Sequence, residues 1–480
     1  MWARWRALPF LSSANHRAGA TVTDRRYIST RGGEAVGFAD AALNGLAPDG
    51  GLYVPQVWPT VSEDVLAEWQ TLPYRLLAFR VMKLFVGDAL DDDTLGYTIA
   101  NAYKNFSDNE VVRLRAFDDG RYMLELFHGP TLAFKDIALQ WLGQVFSVLL
   151  QKQQQRAIVL GATSGDTGPA AIAACAALPN IHTVILYPHK GPSEIQRRQM
   201  TTTGAANVHA LAVRGTFDDA QKIVKELLAE PAPHGARWLT INSINWARLL
   251  AQAVYYIYAA LRCGGPEKSI SFVVPTGNFG NIFAGFIAYK IGLPIAKLAA
   301  ATNSNDAVAR FLTTGMMAPH AVSASHSPSM DIQRPSNLER LLFEMLGRDD
   351  AALRSLITSE NLSIAPRHLG WLRQFFTAAS ISNDDTLAMI QKIYTDHHYL
   401  VDPHTAVGLA AAQQLQHELP TPVITLGCAE HSKFPATMAR ALGIDPPLSE
   451  QVRHLLLRDE KEMVLDAHTA AVRQYLQGLS

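Results

Sequence analysis

The chain has 480 residues, too many for one ordinary hydrophobic core, so we expect two or three packed units. Hydrophobic residues make up 48% and charged residues 18%, a composition typical of a large soluble globular protein. The net charge of −1 creates no strong field for nucleic acid or an anionic membrane, and the apolar runs are too short to span a bilayer. Three widely separated cysteines, Cys175, Cys263 and Cys428, argue against a disulfide framework or a zinc site. They favour a reducing, cytoplasmic compartment.

The first residues of the chain differ in composition from the rest. The segment 1–23 contains three arginines and no acidic residue, as a transit peptide does. Its apolar stretch is short, however, and Pro9 interrupts it. We therefore expect residues 1–25 to form a disordered extension. Residues 26–112 contain Gly-rich turns and helical patterns, such as Thr94–Ala102, which predict a small N-terminal domain.

Beyond residue 113, short apolar runs typical of strands alternate with segments of helical spacing. The predicted strands are Ala157–Leu160, His182–Leu186, Val208–Val213, Trp238–Ile241, Ile270–Val274 and Val423–Leu426, and the helices between them include Asp218–Leu228, Ala247–Leu261 and Ile282–Ile291. This alternation indicates parallel sheets covered by helices. We predict an α/β fold in which residues 113–480 form a catalytic region of two parallel-sheet subdomains with a cleft between them. The Ser-, His- and Pro-rich stretch Ala318–Pro335 is predicted to be a mobile or substrate-facing loop.

Two loops each follow a predicted strand and lead into a helix. They are Gly161-Ala-Thr-Ser-Gly-Asp-Thr-Gly168 and Pro275-Thr-Gly-Asn-Phe-Gly-Asn281. Ligands bind at this edge of open α/β sheets, and small residues with free N–H groups at a helix N-terminus suit a phosphate or carboxylate. Gly-rich loops also occur simply to turn the chain, but two in one chain favour anion binding. Neither loop has the GxxxxGK[ST] or GxGxxG pattern, so a nucleotide-binding protein is the least favoured class.

A lysine stands where an apolar helix is predicted to begin. Lys135 lies in the segment His128-Gly-Pro-Thr-Leu-Ala-Phe-Lys-Asp136, directly before the apolar run Ile137–Leu150. Such a lysine commonly extends past its apolar neighbours to solvent. Alternatively, it is a desolvated amine with a lowered pKa that can form a Schiff base. Asp136 would suit the positive end of the helix and help to cap it.

These segments occur together with several others of distinctive length and order. The others are Arg26-Tyr-Ile-Ser-Thr-Arg-Gly-Gly33, Leu46-Ala-Pro-Asp-Gly-Gly-Leu-Tyr-Val-Pro55, Gly215-Thr-Phe-Asp-Asp219, Asn242-Ser-Ile-Asn-Trp246, Ser329-Met-Asp-Ile332 and Asp402-Pro-His-Thr-Ala-Val-Gly408. As a set they resemble the threonine synthase family, within the fold type of the tryptophan synthase β subunit. The resemblance covers nearly the whole chain after residue 25 and points to the microbial and fungal type with an N-terminal domain.

The resemblance implies pyridoxal 5'-phosphate as cofactor and a role for each loop. Lys135 would hold the cofactor and carry protons. The cofactor's phosphate would be bound by Gly277, Asn278, Phe279, Gly280 and Asn281. Asp166 would lie near the cofactor's ring hydroxyl, and the substrate carboxylate would be bound by Thr163, Ser164, Gly165 and Thr167. Family members convert O-phospho-L-homoserine and water to L-threonine and phosphate, and the resemblance also implies a homodimer.

The phosphate released from the substrate needs a second anion pocket. The candidates are Ser164, Lys190, Ser329, Arg334 and Asn337, and of these we assign Ser164, Ser329 and Asn337 to substrate binding. For Lys190 and Arg334 the alternative is an ordinary exposed surface cation.

One stretch departs from the family pattern. The family's C-terminal strand usually ends Thr-Ala-His-Pro-Ala-Lys-Phe, with the threonine facing the pyridine nitrogen of the cofactor. In Gly427-Cys-Ala-Glu-His-Ser-Lys-Phe434, Cys428 takes the threonine position, and Glu430 and His431 replace histidine and proline. Cys428 is either a cofactor neighbour, as a weaker donor than a hydroxyl, or a buried core cysteine. A carboxylate of Glu430 close to the ring would keep the nitrogen protonated and change the reaction outcome.

Two alternatives to threonine synthesis remain open from the sequence. One is a related phospho-lyase that releases 2-oxobutyrate from the same phosphorylated substrate. The other is a non-catalytic relative that binds a ligand for regulation or assembly. The presence of Lys135 together with both anion loops weighs against the second.

Overall fold

The computed structural model describes residues 25–108, 110–118, 120–318, 320–359 and 361–479. Its strands are β1 (Arg26–Ser29), β2 (Val36–Gly37), β3 (Tyr53–Pro55), β4 (Arg113–Asp118), β5 (Arg121–Glu125), β6 (Ala157–Ala162), β7 (Ile181–Pro188), β8 (Val208–Arg214), β9 (Arg237–Leu239), β10 (Ile270–Pro275), β11 (Ile295–Thr302), β12 (Met316–Met317), β13 (Leu362–Ser363), β14 (Phe376–Ser380), β15 (Val423–Gly427) and β16 (Met463–Asp466). Its helices are α1 (Phe38–Asn44), α2 (Glu63–Trp69), α3 (Tyr74–Val86), α4 (Asp92–Ala102), α5 (Lys135–Lys152), α6 (Thr167–Cys175), α7 (Glu194–Thr201), α8 (Phe217–Leu228), α9 (Trp246–Arg262), α10 (Gly280–Ile291), α11 (Ala307–Thr314), α12 (Leu338–Met345), α13 (Asp350–Ile357), α14 (Pro366–Phe375), α15 (Asn383–His397), α16 (Pro403–Gln414), α17 (Pro435–Leu442), α18 (Glu450–Leu456) and α19 (Thr469–Gln477). The extension expected at residues 1–25 lies outside the described residues, except for residue 25. Within the described ranges no helix is both long and apolar enough to cross a lipid bilayer.

The N-terminal residues form a small antiparallel sheet in the order β2-β1-β3, followed by α2 to α4. Their aromatic side chains surround Trp246, the first residue of α9. The Trp246 ring centroid lies 5.7 Å from that of Tyr27 and 5.9 Å from those of Trp58 and Phe85. Aromatic clusters of this kind bury a large apolar area. The N-terminal unit and α9 therefore share one hydrophobic core.

A buried arginine connects this N-terminal unit to two loops of the remaining chain. The guanidinium of Arg340 donates to the carbonyl oxygens of Tyr53 at 2.9 Å and Ile244 at 2.6 Å, and to Asn337 Oδ1 at 2.5 Å. Asn337 in turn donates from Nδ2 to the carbonyl oxygen of Asn278 at 3.1 Å. Burial lowers the pKa of Arg340 to about 9. These bonds tie β3 to the loop that precedes α9 and to the loop that precedes α10.

The larger sheet has six strands in the order β14-β11-β10-β15-β5-β4. Neighbouring strands run parallel, except that β4 is antiparallel to β5 at the edge. Every residue of β10 is buried, as expected for a central strand with helices on both faces. Because β5, β10 and β15 are parallel, the segments that follow them meet at one edge of the sheet. These segments lead to Lys135, to the loop 275–281 and to Cys428.

The smaller sheet has five strands in the order β16-β8-β7-β6-β9, and all of them are parallel. The loop Gly161–Gly168 begins within the last two residues of β6 and leads into α6. Loops from the carboxyl edges of both sheets line one common cavity. The loops at the carboxyl edges of the two sheets therefore meet at this cavity.

The predicted α/β fold, with parallel sheets and a small N-terminal domain, is confirmed. All six predicted strands are present, as β6 to β10 and β15, and the three named helices are α8, α9 and α10. The sequence reasoning missed β11 and β14, whose centres are rich in alanine. Alanine favours helices and is depleted in strands, so these two strands depend on pairing with β10 and with each other. The described part of Ala318–Pro335 is irregular apart from the turn Pro328–Met330, and it lines the cavity.

Helix α5, which begins at Lys135, lies very close to α6. A Cβ atom added to Gly143 in α5 would lie 2.5 Å from the carbonyl oxygen of Ala174 in α6. Only glycine permits this backbone approach. Because α5 starts at Lys135 and α6 starts directly after Asp166, the contact helps to fix the two residues relative to each other.

We expect Gly143→Ala to lower the free energy of unfolding by about 1–3 kcal/mol, because the added methyl group overlaps backbone atoms that cannot rotate away. Gly370→Ala is the matched control: Gly370 is an exposed residue of helix α14, and nothing lies within 4 Å of its added Cβ. Helix propensity predicts that this control is stabilised by up to about 1 kcal/mol. Urea unfolding followed by circular dichroism measures both variants. Equal unfolding midpoints for Gly143→Ala and the wild type would contradict the close helix contact.

Candidate active site

Loops from both sheets enclose a cavity of about 480 Å³, a size typical of small-molecule sites. The predicted site residues that line it are Lys135, Thr163, Ser164, Gly165, Asp166, Thr167, Gly277, Asn278, Phe279, Gly280, Asn281, Ser329 and Cys428. The structure thus brings together residues that are separated by almost 300 positions in the chain. Asn337 is the predicted residue that is not part of the cavity wall.

Lys135 is the first residue of α5 and is only 8% exposed. The chain is fixed at this point by two backbone contacts with the segment that follows β15. The Phe134 N–H donates to the carbonyl oxygen of Cys428 at 2.8 Å, and Ala133 forms a β-bridge with Ala429. Lys135 therefore faces the cavity wall and does not extend into bulk solvent.

The Lys135 amine lies in a cluster of buried charges. Its Nζ atom lies 3.4 Å from Oδ2 of Asp166. Burial lowers the pKa of Lys135, and the positive charges of Lys433 and Arg248 act in the same direction, whereas Asp166 opposes them. A lowered pKa increases the fraction of neutral amine, which is the nucleophilic and proton-accepting form.

Asp136 does not cap α5, contrary to the expectation from the sequence. Phe134 occupies the N-cap position of α5, and no side chain makes a capping hydrogen bond there. Instead the fully buried Asp136 carboxylate accepts hydrogen bonds from the backbone N–H of Thr131 at 2.8 Å and from its hydroxyl at 2.6 Å. Burial raises the pKa of Asp136 to about 6. Its role is to close the turn that leads into Lys135.

The loop 275–281 presents unpaired donors to the cavity. The backbone N–H groups of Gly277, Asn278 and Phe279 donate no hydrogen bond to the described part of the chain. Phe279 adopts a left-handed conformation with φ of 65°, and α10 begins immediately after it. A non-glycine residue pays a strain cost in this region, which is common at ligand-binding loops. The Nδ2 atom of Asn281 is also buried without a partner among the described residues.

The loop 163–167 is shaped by its first residue. The Thr163 hydroxyl donates to the carbonyl oxygen of Gly165 and accepts from the N–H groups of Gly165 and Gly168. These bonds commit the hydroxyl to the loop itself, so Thr163 offers no free side-chain donor. The neighbouring Ser164 and Thr167 line the cavity at the N-terminus of α6, where an anion is favoured.

Sequence reasoning missed a second buried lysine at the site. Lys433 is 0% exposed, and its Nζ atom lies 2.8 Å from Oδ1 of Asp166 and 2.6 Å from the carbonyl oxygen of Thr131. Asp166 also accepts a hydrogen bond from Gln196 Nε2 at 2.9 Å. Burial alone would raise the pKa of Asp166, but Lys433 and Lys135 outweigh it and hold the pKa well below its usual range. The available signal was the family stretch itself, because its lysine is retained as Lys433, six positions after the buried strand β15.

Arg248 was also missed. It lies in the first turn of α9, is 4% exposed and lines the cavity. No ion pair or hydrogen bond involves its guanidinium within the described part of the chain, and burial lowers its pKa to about 10. An arginine three positions after Asn245 in an otherwise apolar helix was the available signal. A buried cation without a carboxylate partner is costly and suggests that an anionic ligand binds to it.

A buried histidine holds the irregular loop over the cavity. His404 Nδ1 lies 2.8 Å from Oδ2 of Asp402, and its Nε2 accepts the backbone N–H of Ser329 at 3.2 Å. Asp402 also accepts from the Thr405 hydroxyl, which itself accepts the backbone N–H of Cys428 at 2.8 Å. Ser329 and Cys428 are therefore positioned by one hydrogen-bonded group.

Three candidates for binding the released phosphate lie outside the cavity wall. The Asn337 side chain is committed to carbonyl oxygens of Ser243 and Asn278, which supports the loop 275–281 from behind. Lys190 and Arg334 are exposed residues that do not line this cavity, so the alternative of ordinary surface cations fits them. The structure offers Arg248 as a buried cation in their place.

The departure at 427–434 has a smaller effect on the cavity than the sequence suggested. Cys428 lines the cavity, and burial raises the pKa of its thiol well above the usual value, so the thiol stays neutral. Glu430 points elsewhere: it accepts from the backbone N–H and hydroxyl of Ser432 and pairs with His431 Nδ1 at 2.7 Å. The cavity wall therefore carries a neutral thiol and not a carboxylate at this point.

This arrangement fits pyridoxal phosphate. The cofactor's aldehyde requires a lysine amine of lowered pKa, and its phosphate requires N–H donors at a helix N-terminus. Lys135 supplies the first, while Gly277, Asn278, Phe279 and the orphaned amide of Asn281 supply the second. Residues 111–428 match the family described as pyridoxal-phosphate dependent enzyme. The fold and the site thus define a pyridoxal-phosphate-dependent enzyme.

The flanking regions and the similarity to characterised proteins narrow this class. Residues 26–103 match the threonine synthase N terminus and residues 405–476 the threonine synthase C-terminal region. The chain is 43% identical over 458 residues to threonine synthase of Pseudomonas aeruginosa, covering 94% of this chain and 98% of that protein. It is 38% identical to the Saccharomyces cerevisiae threonine synthase, covering 87% of this chain and 89% of that protein. The chain belongs to the threonine synthase family, as its sequence motifs indicated.

A solved structure agrees with this assignment. The crystal structure of the PLP-bound threonine synthase from Brucella melitensis matches with a TM-score of 0.92 and 40% sequence identity. The match covers 95% of this chain and 99% of that chain. Both sheets and the N-terminal unit are therefore shared with a member of the family.

Gly277→Ala should weaken binding of pyridoxal phosphate by about 1–3 kcal/mol, or roughly 5- to 150-fold, because the added Cβ would lie 2.7 Å from the carbonyl oxygen of Ser329. Either the loop or Ser329 must then move, and the N–H donors lose their alignment. Titration of the cofactor-free protein with pyridoxal phosphate, followed by absorbance, gives the dissociation constants. Gly37→Ala, whose added Cβ has nothing within 4 Å, should bind as the wild type does. An unchanged dissociation constant for Gly277→Ala would argue against binding of the cofactor's phosphate by the loop 275–281.

Proposed function

We propose that this chain converts O-phospho-L-homoserine and water to L-threonine and phosphate, with pyridoxal phosphate held by Lys135. The observation that carries the proposal is the buried Lys135 amine, which shares one cavity with the donor-rich loop 275–281 in a chain of this family. In this assignment the loop binds the cofactor's phosphate, and Asp166 and Cys428 lie beside its ring. When bound, the cofactor supplies an electron-withdrawing ring that stabilises negative charge developing on the substrate carbons.

Lys135 is assigned the proton transfers. Its lowered pKa favours the neutral amine, which can accept the proton from Cα of the substrate and later return it. Overall, protons leave Cα and Cβ, and the bond from Cγ to the phosphate oxygen breaks. The hydroxyl of water is added at Cβ, and protons are returned at Cγ and Cα. The remaining proton of water goes to the departing phosphate, so the atoms of substrate and water are fully accounted for in threonine and phosphate.

The substrate carboxylate is assigned to the loop 163–167. Ser164 and Thr167 line the cavity, and the loop leads into the positive end of α6. Because Thr163 fixes the shape of the loop, its N–H groups are held in place before the substrate arrives. Fixed donors lose little conformational entropy on binding.

The substrate phosphate is assigned to Arg248. Lys135, which lines the cavity, and Lys433, which lies behind its wall, both pair with Asp166, whereas the cavity-lining Arg248 has no carboxylate partner among the described residues. A phosphate dianion would supply the missing counter-charge, and guanidinium groups bind phosphate with paired hydrogen bonds. Ser243 and Ser329 line the same cavity and can add hydroxyl donors.

The reaction is tested by incubating the enzyme with O-phospho-L-homoserine and measuring phosphate, threonine and 2-oxobutyrate together. Threonine and phosphate in equal amounts are expected. Phosphate with 2-oxobutyrate would identify the alternative phospho-lyase, and release of neither product would identify a binding protein.

Lys135→Ala should lose the visible absorbance of cofactor bonded to lysine and should slow threonine formation by at least about 10³-fold, since it removes both the attachment point and the proton carrier. Lys152→Ala provides a matched control, because Lys152 lies in the last turn of the same helix and is exposed. Absorbance spectra and steady-state rates measure both. A coloured, active Lys135→Ala protein would refute the assignment.

Arg248→Met should reduce kcat/KM for O-phospho-L-homoserine by about 10²- to 10³-fold and weaken inhibition by inorganic phosphate, because a buried charge partner is worth roughly 2–5 kcal/mol to a ligand. The thermal stability should be unchanged or higher, since an unpaired buried charge is removed. Arg262→Met, at the other end of α9, is the control and should leave kcat/KM unchanged. A stable Arg248→Met enzyme with wild-type kcat/KM would show that the phosphate binds elsewhere.

A homodimer and a cytoplasmic location are further parts of the proposal. Support for a reducing compartment comes from Cys175, Cys263 and Cys428, which are all free and buried. Size-exclusion chromatography with light scattering measures the oligomeric state directly.

A further inference from the structure

Two lysines and one carboxylate form a buried cluster at the cavity. Asp166 lies between them: Lys135 Nζ is 3.4 Å from its Oδ2, and Lys433 Nζ is 2.8 Å from its Oδ1. Lys135 is 8%, Asp166 3% and Lys433 0% exposed, so solvent screens these charges little. With both lysines protonated, the cluster carries one uncompensated positive charge. It is balanced when Lys135 is neutral and Lys433 alone pairs with Asp166.

The two lysines are held differently. Lys433 has a second fixed partner, because its Nζ donates to the Thr131 carbonyl oxygen at 2.6 Å. That carbonyl also accepts from Gln199 Nε2 at 3.0 Å. For Lys135 the longer contact with Asp166 is the polar contact that the structure records, and its ammonium also lies 4.8 Å from the centre of the Phe134 ring. Lys433 is therefore held by two partners, whereas Lys135 has one longer contact and can exchange it for another partner.

We propose that Lys433 is a positioning residue: it is the permanent counter-ion that keeps Asp166 in place when Lys135 bonds to the cofactor, and its charge favours the neutral form of the Lys135 amine. This inference rests on the proposed function, in which Lys135 alternates between the cofactor and a free amine. Without Lys433, Asp166 would have no cation in direct contact among the described residues whenever Lys135 left it. A buried carboxylate in that position would then take up a proton or move.

Other charged groups around the cluster do not replace Lys433. Arg248 adds positive charge and is assigned to the substrate, and the Cys428 thiol is neutral. His404 is paired with Asp402 through Nδ1 at 2.8 Å. Asp136 is bonded to Thr131, whose carbonyl oxygen Lys433 contacts, so its charge acts mainly on Lys433. Lys433 is the cation in direct contact with Asp166 that no proposed step displaces.

The test measures the proton affinity of Lys135 in cofactor-free protein by competitive labelling with acetic anhydride between pH 6 and pH 11, with the labelled peptides counted by mass spectrometry. Lys433→Met removes a positive neighbour, so Lys135 should hold its proton to higher pH. We expect about a tenfold loss of Lys135 reactivity at pH 7.5, which corresponds to about one pKa unit. Lys433→Arg keeps the charge and should retain most of the reactivity. Lys392→Met, which removes an exposed lysine paired with Asp396, is the control and should leave the titration unchanged.

A second measurement uses the cofactor-loaded enzyme. The acid limb of the pH profile of kcat, which reports the enzyme–substrate complex in which Lys135 is a free amine, should move to higher pH in Lys433→Met, and Lys433→Arg should restore it. A merely structural role would lower the rate without moving the limb. If the titration of Lys135 in folded Lys433→Met coincides with that of the wild type, the inference is overturned.

Lys433→Met leaves Asp166 without its nearest partner, and this can prevent folding. In that event Asp166→Asn is compared with the double variant Asp166→Asn/Lys433→Met, in which no carboxylate is stranded. Lys135 should hold its proton to higher pH in the double variant than in Asp166→Asn. Identical titrations of Lys135 in the two proteins would overturn the inference. Because labelling needs neither cofactor nor substrate, it is independent of the product assay: a wild-type enzyme that makes no threonine would refute the proposed function and leave the labelling result to be judged separately.

Discussion

Burying two lysine amines and a carboxylate in one cluster is costly, and the cost is offset only if the three groups meet with good geometry. Asp166 comes from the loop after β6 in the smaller sheet, whereas Lys135 and Lys433 follow β5 and β15 in the larger sheet. The cluster therefore spans the two sheets. Its charges are compensated only when the sheets are docked, so the formation of the site and the packing of the two halves depend on each other.

The buried cations at and behind the cavity wall are of two kinds. Lys433 and Lys135 are associated with a protein carboxylate, and Arg248 is not. A protein that leaves one buried guanidinium unpaired accepts a lower stability in the free state for stronger binding of an anion. Charge pairing within the protein thus separates the two lysines from Arg248, to which we assign the phosphate of the substrate.

The sequence predicted those parts of the site that are fixed by local geometry. Lys135 and the loops 161–168 and 275–281 each lie in a strand–loop–helix segment, and such segments place their residues at the sheet edge whatever the distant packing is. The six strands with Val- and Ile-rich patterns were predicted for the same reason. The alanine-rich β11 and β14 were missed because their conformation depends on neighbours that the local sequence does not reveal.

Residues whose roles depend on long-range contacts were misjudged. Lys433 and Arg248 were missed because a single basic residue is normally exposed, and only the folded chain buries them. Asp136 was expected to cap a helix, but a hydroxyl five positions earlier was a stronger partner. Asn337 was assigned to the substrate, yet Arg340 and two carbonyl oxygens occupy its amide. In each case the competing partner is distant in sequence or hidden in a turn.

The hydrogen bonds of Arg340 connect the N-terminal unit to the cavity. One of its three partners is a carbonyl oxygen of β3, and another is Asn337, which holds the backbone of Asn278 in the cofactor loop. The hydrogen-bonded groups behind the loop 275–281 therefore include main-chain atoms of the first sixty residues. A fragment starting near residue 111 would retain every residue to which we assign a chemical role. It would lack the carbonyl oxygen of Tyr53, so the guanidinium of Arg340 would have one acceptor fewer. The N-terminal unit is therefore part of the support of the loop 275–281 and more than a neighbouring domain.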